Sequence, residues 1–189
     1  NYGYIEMSFT EGKNAVLAAQ SSEKSIHEYL KALLKTLSPK AKSMNMALPG
    51  FSGLITLIEL PMMEMRELEQ AIQFEAHKYI PAPLEDVAFS WEVISQSGVG
   101  SEEKSGKKTM EVLLVAALKK EVSKFERYIE GIGMPVDLLE LEIFSLARAV
   151  SGDTPGSSLI VDIGSRATNL VLVRDGDVRL NRSLNTGGN

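Results

Sequence analysis

Between Ser25 and Leu37, apolar side chains recur at Ile26, Leu30, Leu33, Leu34 and Leu37, which is the spacing of one helical face, and Ser38-Pro39 closes the run. Two strand-like runs follow, Ser43–Leu48 and Gly53–Leu60, joined by Pro49-Gly50-Phe51-Ser52 and closed by Pro61. The clearest periodicity lies in Glu64–Tyr79, where Met65, Leu68, Ile72, Ala76 and Tyr79 fall on one stripe. Glu and Gln fill the other faces, so Glu69 and Glu75 read as solvated side chains rather than catalytic acids. The helix stops at Ile80-Pro81-Ala82-Pro83, because proline cannot continue it and biases the preceding residue away from it.

Val87–Ile94 then alternates like a strand, and the polar stretch Ser95–Thr109 reads as a hairpin tip. Glu111–Leu118 is almost continuously apolar, the pattern of a strand buried on both faces. A further amphipathic helix is expected over Lys120–Gly131, with Val122, Phe125, Ile129 and Ile132 inward and Gly131 and Gly133 as stops. A short strand over Pro135–Leu138 and a helix over Glu140–Val150 come next. Ser151–Ser158, SGDTPGSS, has linker composition and marks the expected domain boundary. Beyond it stand three strands, Ser158–Asp162, Asn169–Arg174 and Val178–Leu184, the last two joined by Asp175-Gly176, a strong hairpin signal. A meander after a mixed lobe points to a two-lobed α/β protein.

Both ends read as cut. A strand-like run, Tyr4–Phe9, begins almost at the first residue, and the chain stops at the turn signal Gly187-Gly188-Asn189. Composition narrows the function. A net charge of −5 over 189 residues, with Lys and Arg scattered among acids, argues against nonspecific nucleic-acid binding, though it leaves a local basic patch open. The few aromatics do not alternate with basic residues. With no cysteine there is neither a disulfide framework nor a thiolate metal site. No apolar run approaches the roughly 20 residues that cross a bilayer, so the chain is expected to be cytoplasmic. His27 and His77 sit in unrelated helices without metal-ligand spacing and read as ordinary surface residues. No P-loop, Rossmann glycine motif or Ser-His-Asp order can be assembled, and no catalytic residue is assigned.

The candidate chemistry lies in Val161–Asn169, VDIGSRATN. Asp162 ends a core-type strand, where a carboxylate reaches a metal ion through its waters. Gly164 permits close backbone approach, Ser165 and Thr168 supply hydroxyls, and successive turn N–H groups can nest an anion. A plain hairpin with a satisfied aspartate stands open beside that reading. Gly187-Gly188, beyond Arg182, offers either a helix start near a phosphate or a simple strand exit.

The stretch from Ile58 to Ile94 resembles the signature of the PilM family, actin-like proteins of type IV pilus assembly related to FtsA. The matching elements are Glu59-Leu60-Pro61, the Met/Glu/Leu helix start, Glu75-Ala76, and Tyr79-Ile80-Pro81 with Pro83. Ala47-Leu48-Pro49-Gly50 upstream fits as well, as do Val112–Ala117 and Glu142, Phe144 and Ala147 downstream. Asp162, Gly164, Thr168-Asn169, Arg182 and Gly187-Gly188 resemble the family's second phosphate loop and the segment after it. One departure is Arg166, where the loop usually carries a small residue; whether it reaches a phosphate or crowds the loop stays open.

The resemblance implies an actin-like (ribonuclease H-like) ATPase fold with an FtsA-type subdomain 1C, here as a fragment of the two-lobed protein. Its spans would be 1–42 for part of subdomain 1A, 43–119 for 1C, 120–152 for the return to 1A and 153–189 for the start of the second lobe. It implies ATP and Mg²⁺ in the whole protein, with Asp162, Gly164, Ser165, Thr168, Asn169, Gly187 and Gly188 toward the nucleotide and Asp162 on the metal through water. The first phosphate loop would precede residue 1 and the adenosine region would follow residue 189, so this stretch alone is expected to bind nucleotide weakly or not at all. The implied partners are the cytoplasmic N-terminal peptide of PilN, held in the cleft beside 1C, and other pilus assembly proteins, at the cytoplasmic face of the inner membrane. Self-association and ATP hydrolysis stay open. The alternatives are a nucleotide-independent module like GspL of the related secretion system, an FtsA-like division protein, or a kinase of the sugar or acetate type on the same fold.

Overall fold

A computed structural model describes residues 15–38, 40–97, 108–152 and 155–188. The expected strand at Tyr4–Phe9 and most of the polar hairpin tip lie outside them. The chain divides into two compact units, residues 1–46 with 121–139, and residues 47–120 with 140–189.

In the first unit, α1 (Ala15–Leu37) begins ten residues before the start that its apolar stripe marks. Helix α3 (Lys119–Ile129) lies mostly here, and the residue it buries is Tyr128 rather than the expected stripe of Val122, Phe125 and Ile129, which is only half-buried. The Phe125 and Tyr128 rings meet edge-on at 5.4 Å, and His27 Nδ1 lies 3.1 Å from the Tyr128 carbonyl oxygen. His27 is thus half-buried and bonded rather than a plain surface residue, whereas His77 is exposed. Strands β1 (Met44–Leu48) and β5 (Val136–Leu141) pair, and Ser43 hydrogen-bonds to Asp137.

The second unit holds two three-stranded sheets. In the first, β2 (Gly53–Pro61), β4 (Thr109–Leu118) and β3 (Val87–Ser97) run antiparallel with β4 central. Alternation in β4 turns Met110, Val112, Leu114 and Ala116 onto one face, where they form a core with Leu68, Ile72 and Ala76 of α2 (Met65–Tyr79). That face is fully buried; on the other only Leu113 is, so the apolar run reflects one buried face and one half-covered one. The α2 stripe is buried only through its middle: Met65 and Tyr79, expected inward, are 62% and 43% exposed at the helix ends.

The second sheet is the expected meander β6 (Ser157–Ile163), β7 (Thr168–Arg174) and β8 (Asp177–Leu184). Asp175 and Gly176 both take positive φ, 53° and 91°, the conformation that a tight two-residue hairpin demands. Helix α4 (Glu142–Val150) packs on β7 and β8, burying Ile143 and Ala147 with Val171, Val173 and Val178. The described residues of the segment SGDTPGSS, the last two of which open β6, belong to this unit. The sheets are tied by Arg179 of β8, which donates to Glu111 of β4 at 2.8 Å, while Ser95 of β3 donates to the same carboxylate at 2.5 Å.

Candidate phosphate-hairpin site

Four residues, Gly164 to Ala167, join β6 to β7, and the loop closes with the Gly164 N–H donating to the Ala167 carbonyl at 2.9 Å. Counting outward from Ile163 opposite Thr168 places Asp162 opposite Asn169, and Asn169 in turn faces Ser183 on β8. These three side chains form one row across the sheet. Asn169 is 3% exposed. Its Nδ2 donates to Asp162 Oδ2 at 3.1 Å and to Glu142 Oε1 at 3.2 Å, and its Oδ1 accepts from the Ser183 hydroxyl at 2.7 Å.

Glu142 is the first residue of α4, where a carboxylate is favoured by the N–H groups of the helix start. The same Oε1 accepts the Gly50 N–H at 2.8 Å, from the short 3₁₀ turn Gly50–Ser52 between β1 and β2. Gly50 has no room for a side chain: a Cβ there would stand 2.9 Å from Asn169 Oδ1 and 3.1 Å from Ile143 Cγ2. Two carboxylates, Asp162 and Glu142, are therefore brought to one amide group beside the hairpin.

The tail after β8 runs along the hairpin tip. Gly188 N–H donates to the Gly164 carbonyl at 2.9 Å, and the Thr168 hydroxyl donates to the Thr186 carbonyl at 2.7 Å. A Cβ on Gly187 would come within 2.1 Å of the Ser165 carbonyl oxygen, so the backbones touch and only glycine fits. The seven residues named from the sequence are thus gathered in one place, with different tasks. Asn169 holds the carboxylates, Thr168 and Gly188 strap the tail, Gly187 gives the close approach, and Ser165 is exposed at the tip. Glu142 is the member that sequence reasoning missed as a site residue; its signal was a carboxylate at the junction of a strand and a helix start. Arg182 is exposed, opposite Leu170.

Arg166, at the tip, lies with its guanidinium carbon 5.7 Å from the centre of the Phe51 ring. Phe51 belongs to the 3₁₀ turn that carries Gly50, and it lines an apolar groove of about 210 Å³ with Leu54, Ile80, Pro81, Val87 and Leu118. Among the described residues no group of three or more His, Cys, Asp or Glu side chains could hold a metal ion, and no helix is long and apolar enough to cross a membrane.

A family model described as type IV pilus assembly protein PilM matches residues 6–189. Among solved structures the chain is similar to a PilM–PilN type IV pilus biogenesis complex, with 24% identity and a TM-score of 0.72, covering 89% of this chain and 50% of that one. It is also similar to the cytoplasmic domain of EpsL, an inner-membrane component of the type II secretion system of Vibrio cholerae, with 15% identity and a TM-score of 0.57, covering 86% of this chain and 56% of that one. The chain thus spans about half the length of the solved relatives that it matches. The likeness shows the fold, α/β and actin-like, that the resemblance implies.

Proposed function

We propose, for a chain that belongs to the PilM family of type IV pilus assembly proteins, that it is part of an ATP-binding adaptor which docks the cytoplasmic peptide of PilN. The spans 1–42, 43–119, 120–152 and 153–189 are assigned to 1A, 1C, the return to 1A and the start of the second lobe. The observation that carries the nucleotide reading is Asn169, a buried amide that spends both donors on Asp162 and Glu142 beside a hairpin closed by glycines.

The donor set fits hydrated Mg²⁺, which keeps several waters and takes one or two carboxylates with phosphate oxygens. Asp162, held by a single hydrogen bond from Asn169, has acceptor capacity left for a metal-bound water. Glu142, which accepts from the same Asn169 nitrogen, would orient a second water. When bound, the metal would neutralise phosphate charge; the Ser165 hydroxyl and the tip N–H groups would position the phosphate. In the whole protein the second half of the nucleotide site would come from outside this stretch.

The apolar groove at Phe51, Ile80 and Pro81 is assigned to the PilN peptide, since it lies within the span assigned to 1C and offers apolar walls. Through that peptide the protein would sit at the cytoplasmic face of the inner membrane. A second reading is an adaptor of the same fold that works without nucleotide; the likeness to the EpsL domain is one of fold alone.

Calorimetric titration of the full-length protein separates them. Asp162→Ala should weaken Mg·ATP binding by at least about tenfold while leaving the melting curve in place, as loss of a charge-bearing metal contact implies. Equal affinity in the variant would remove the metal role. No binding to the wild type would leave the nucleotide-independent adaptor.

A further inference from the structure

The departure at Arg166 places a guanidinium where it faces two ways. It stands in the hairpin tip, between Ser165 and Ala167, and it lies over the Phe51 ring. Phe51 is 46% exposed and forms part of the groove wall. The turn that bears it is fixed in its backbone: Glu142 holds the Gly50 N–H, and Ser52 N–H donates to the Pro49 carbonyl at 2.9 Å. The Phe51 side chain is the part of this turn left exposed, and the Arg166 guanidinium over its ring is a contact that restrains it.

We infer that Arg166 couples phosphate at the hairpin to occupation of the groove, with negative sign. This deepens the reading above and rests on it. A phosphate at the tip presents full negative charge to a guanidinium that otherwise faces only the weak field of an aromatic ring. The phosphate wins that competition, and Arg166 leaves Phe51. The ring then loses its restraint, so a peptide entering the groove must order a wall residue that was ordered before. Peptide affinity falls when nucleotide is bound. By linkage, bound peptide weakens nucleotide by the same factor, because pinning Phe51 favours the arrangement in which Arg166 stays on it. The expected factor is roughly 2- to 5-fold, the range of a single exposed cation–π contact. No hinge or lobe movement is required, since both partners of the contact belong to one unit.

The test is fluorescence anisotropy of a labelled PilN cytoplasmic peptide on the full-length protein, with and without saturating Mg·ATP, for wild type, Arg166→Gln and Phe51→Leu. Nucleotide should raise the peptide Kd about 2- to 5-fold in the wild type and leave it unchanged in both variants, whatever their absolute affinities. Two results overturn the coupling while leaving the parent reading intact: both ligands bind with no mutual effect in the wild type, or the effect persists in Arg166→Gln. If ATP or the peptide does not bind to the wild type at all, the parent reading falls and takes the coupling with it.

Discussion

Asn169 is worth more than its size because every polar atom of its amide has an assigned partner in a place where water has little access. Replacing it with leucine leaves the Ser183 hydroxyl without its acceptor and two half-buried carboxylates without their common donor. Unsatisfied buried groups cost about 1–3 kcal/mol. Asn169→Leu should therefore lower the unfolding free energy by about that amount, read from urea denaturation, and a loss below about 0.5 kcal/mol would show that the row is not a structural element. Gly50→Ala tests the same cluster from the other side, since its methyl group would press on Asn169 Oδ1 at 2.9 Å. Overpacking of this kind costs about 1–3 kcal/mol, and the Asn169→Leu background should not relieve it, because a leucine methyl is larger than the oxygen it replaces.

At the scale of elements, α2 shows how a hydrophobic stripe is read correctly in the middle and wrongly at its ends. Leu68, Ile72 and Ala76 bury against the sheet, while Met65 and Tyr79, at the two ends of the helix, are exposed. Periodicity gives direction around a helix axis but not the length of the surface that receives it. Ile72 is fully buried and Phe74, on the opposite side, is 69% exposed. Ile72→Ala should cost about 2–5 kcal/mol, whereas Phe74→Ala should stay within about 0.5 kcal/mol despite removing more apolar surface. Comparable losses in the two variants, measured by thermal or chemical unfolding, would contradict the packing of α2. The meander was legible in its strands and its Asp-Gly turn, but not in its full register: a shift between Leu172 and Val173 is what brings Ser183, rather than Arg182, opposite Asn169.

Across the whole molecule, contacts between sheets were invisible in the sequence. Glu111 and Arg179 lie far apart in the chain, yet one ion pair joins β4 to β8. The Glu111 carboxyl is held below the usual 4.5, first by the Ser95 hydroxyl and then by Arg179, with burial opposing them. A depressed carboxylate pKa in the folded state stabilises the fold above the unfolded value, and that contribution is lost as pH falls through the folded value. The side chain is 42% exposed, so solvent screens the pair and the effect is modest. Wild type should be more stable than Glu111→Gln at neutral pH, and the gap should narrow as pH falls below 4.5. Urea midpoints across that range check it; a gap that stays constant would mean that the carboxylate charge does not contribute.

The sequence by itself determined the order of elements, the Asp-Gly turn of the meander, the family, and most of the residues around the hairpin. These follow from local rules: periodicity, proline and glycine punctuation, and turn length. Only the tertiary structure brought Glu142 and Gly50 to Asn169, buried Tyr128 instead of its neighbours, and set Arg166 on Phe51. Such contacts join segments that lie far apart in the chain. They depend on which sheet face meets which helix start, and no pattern of neighbouring residues encodes that meeting.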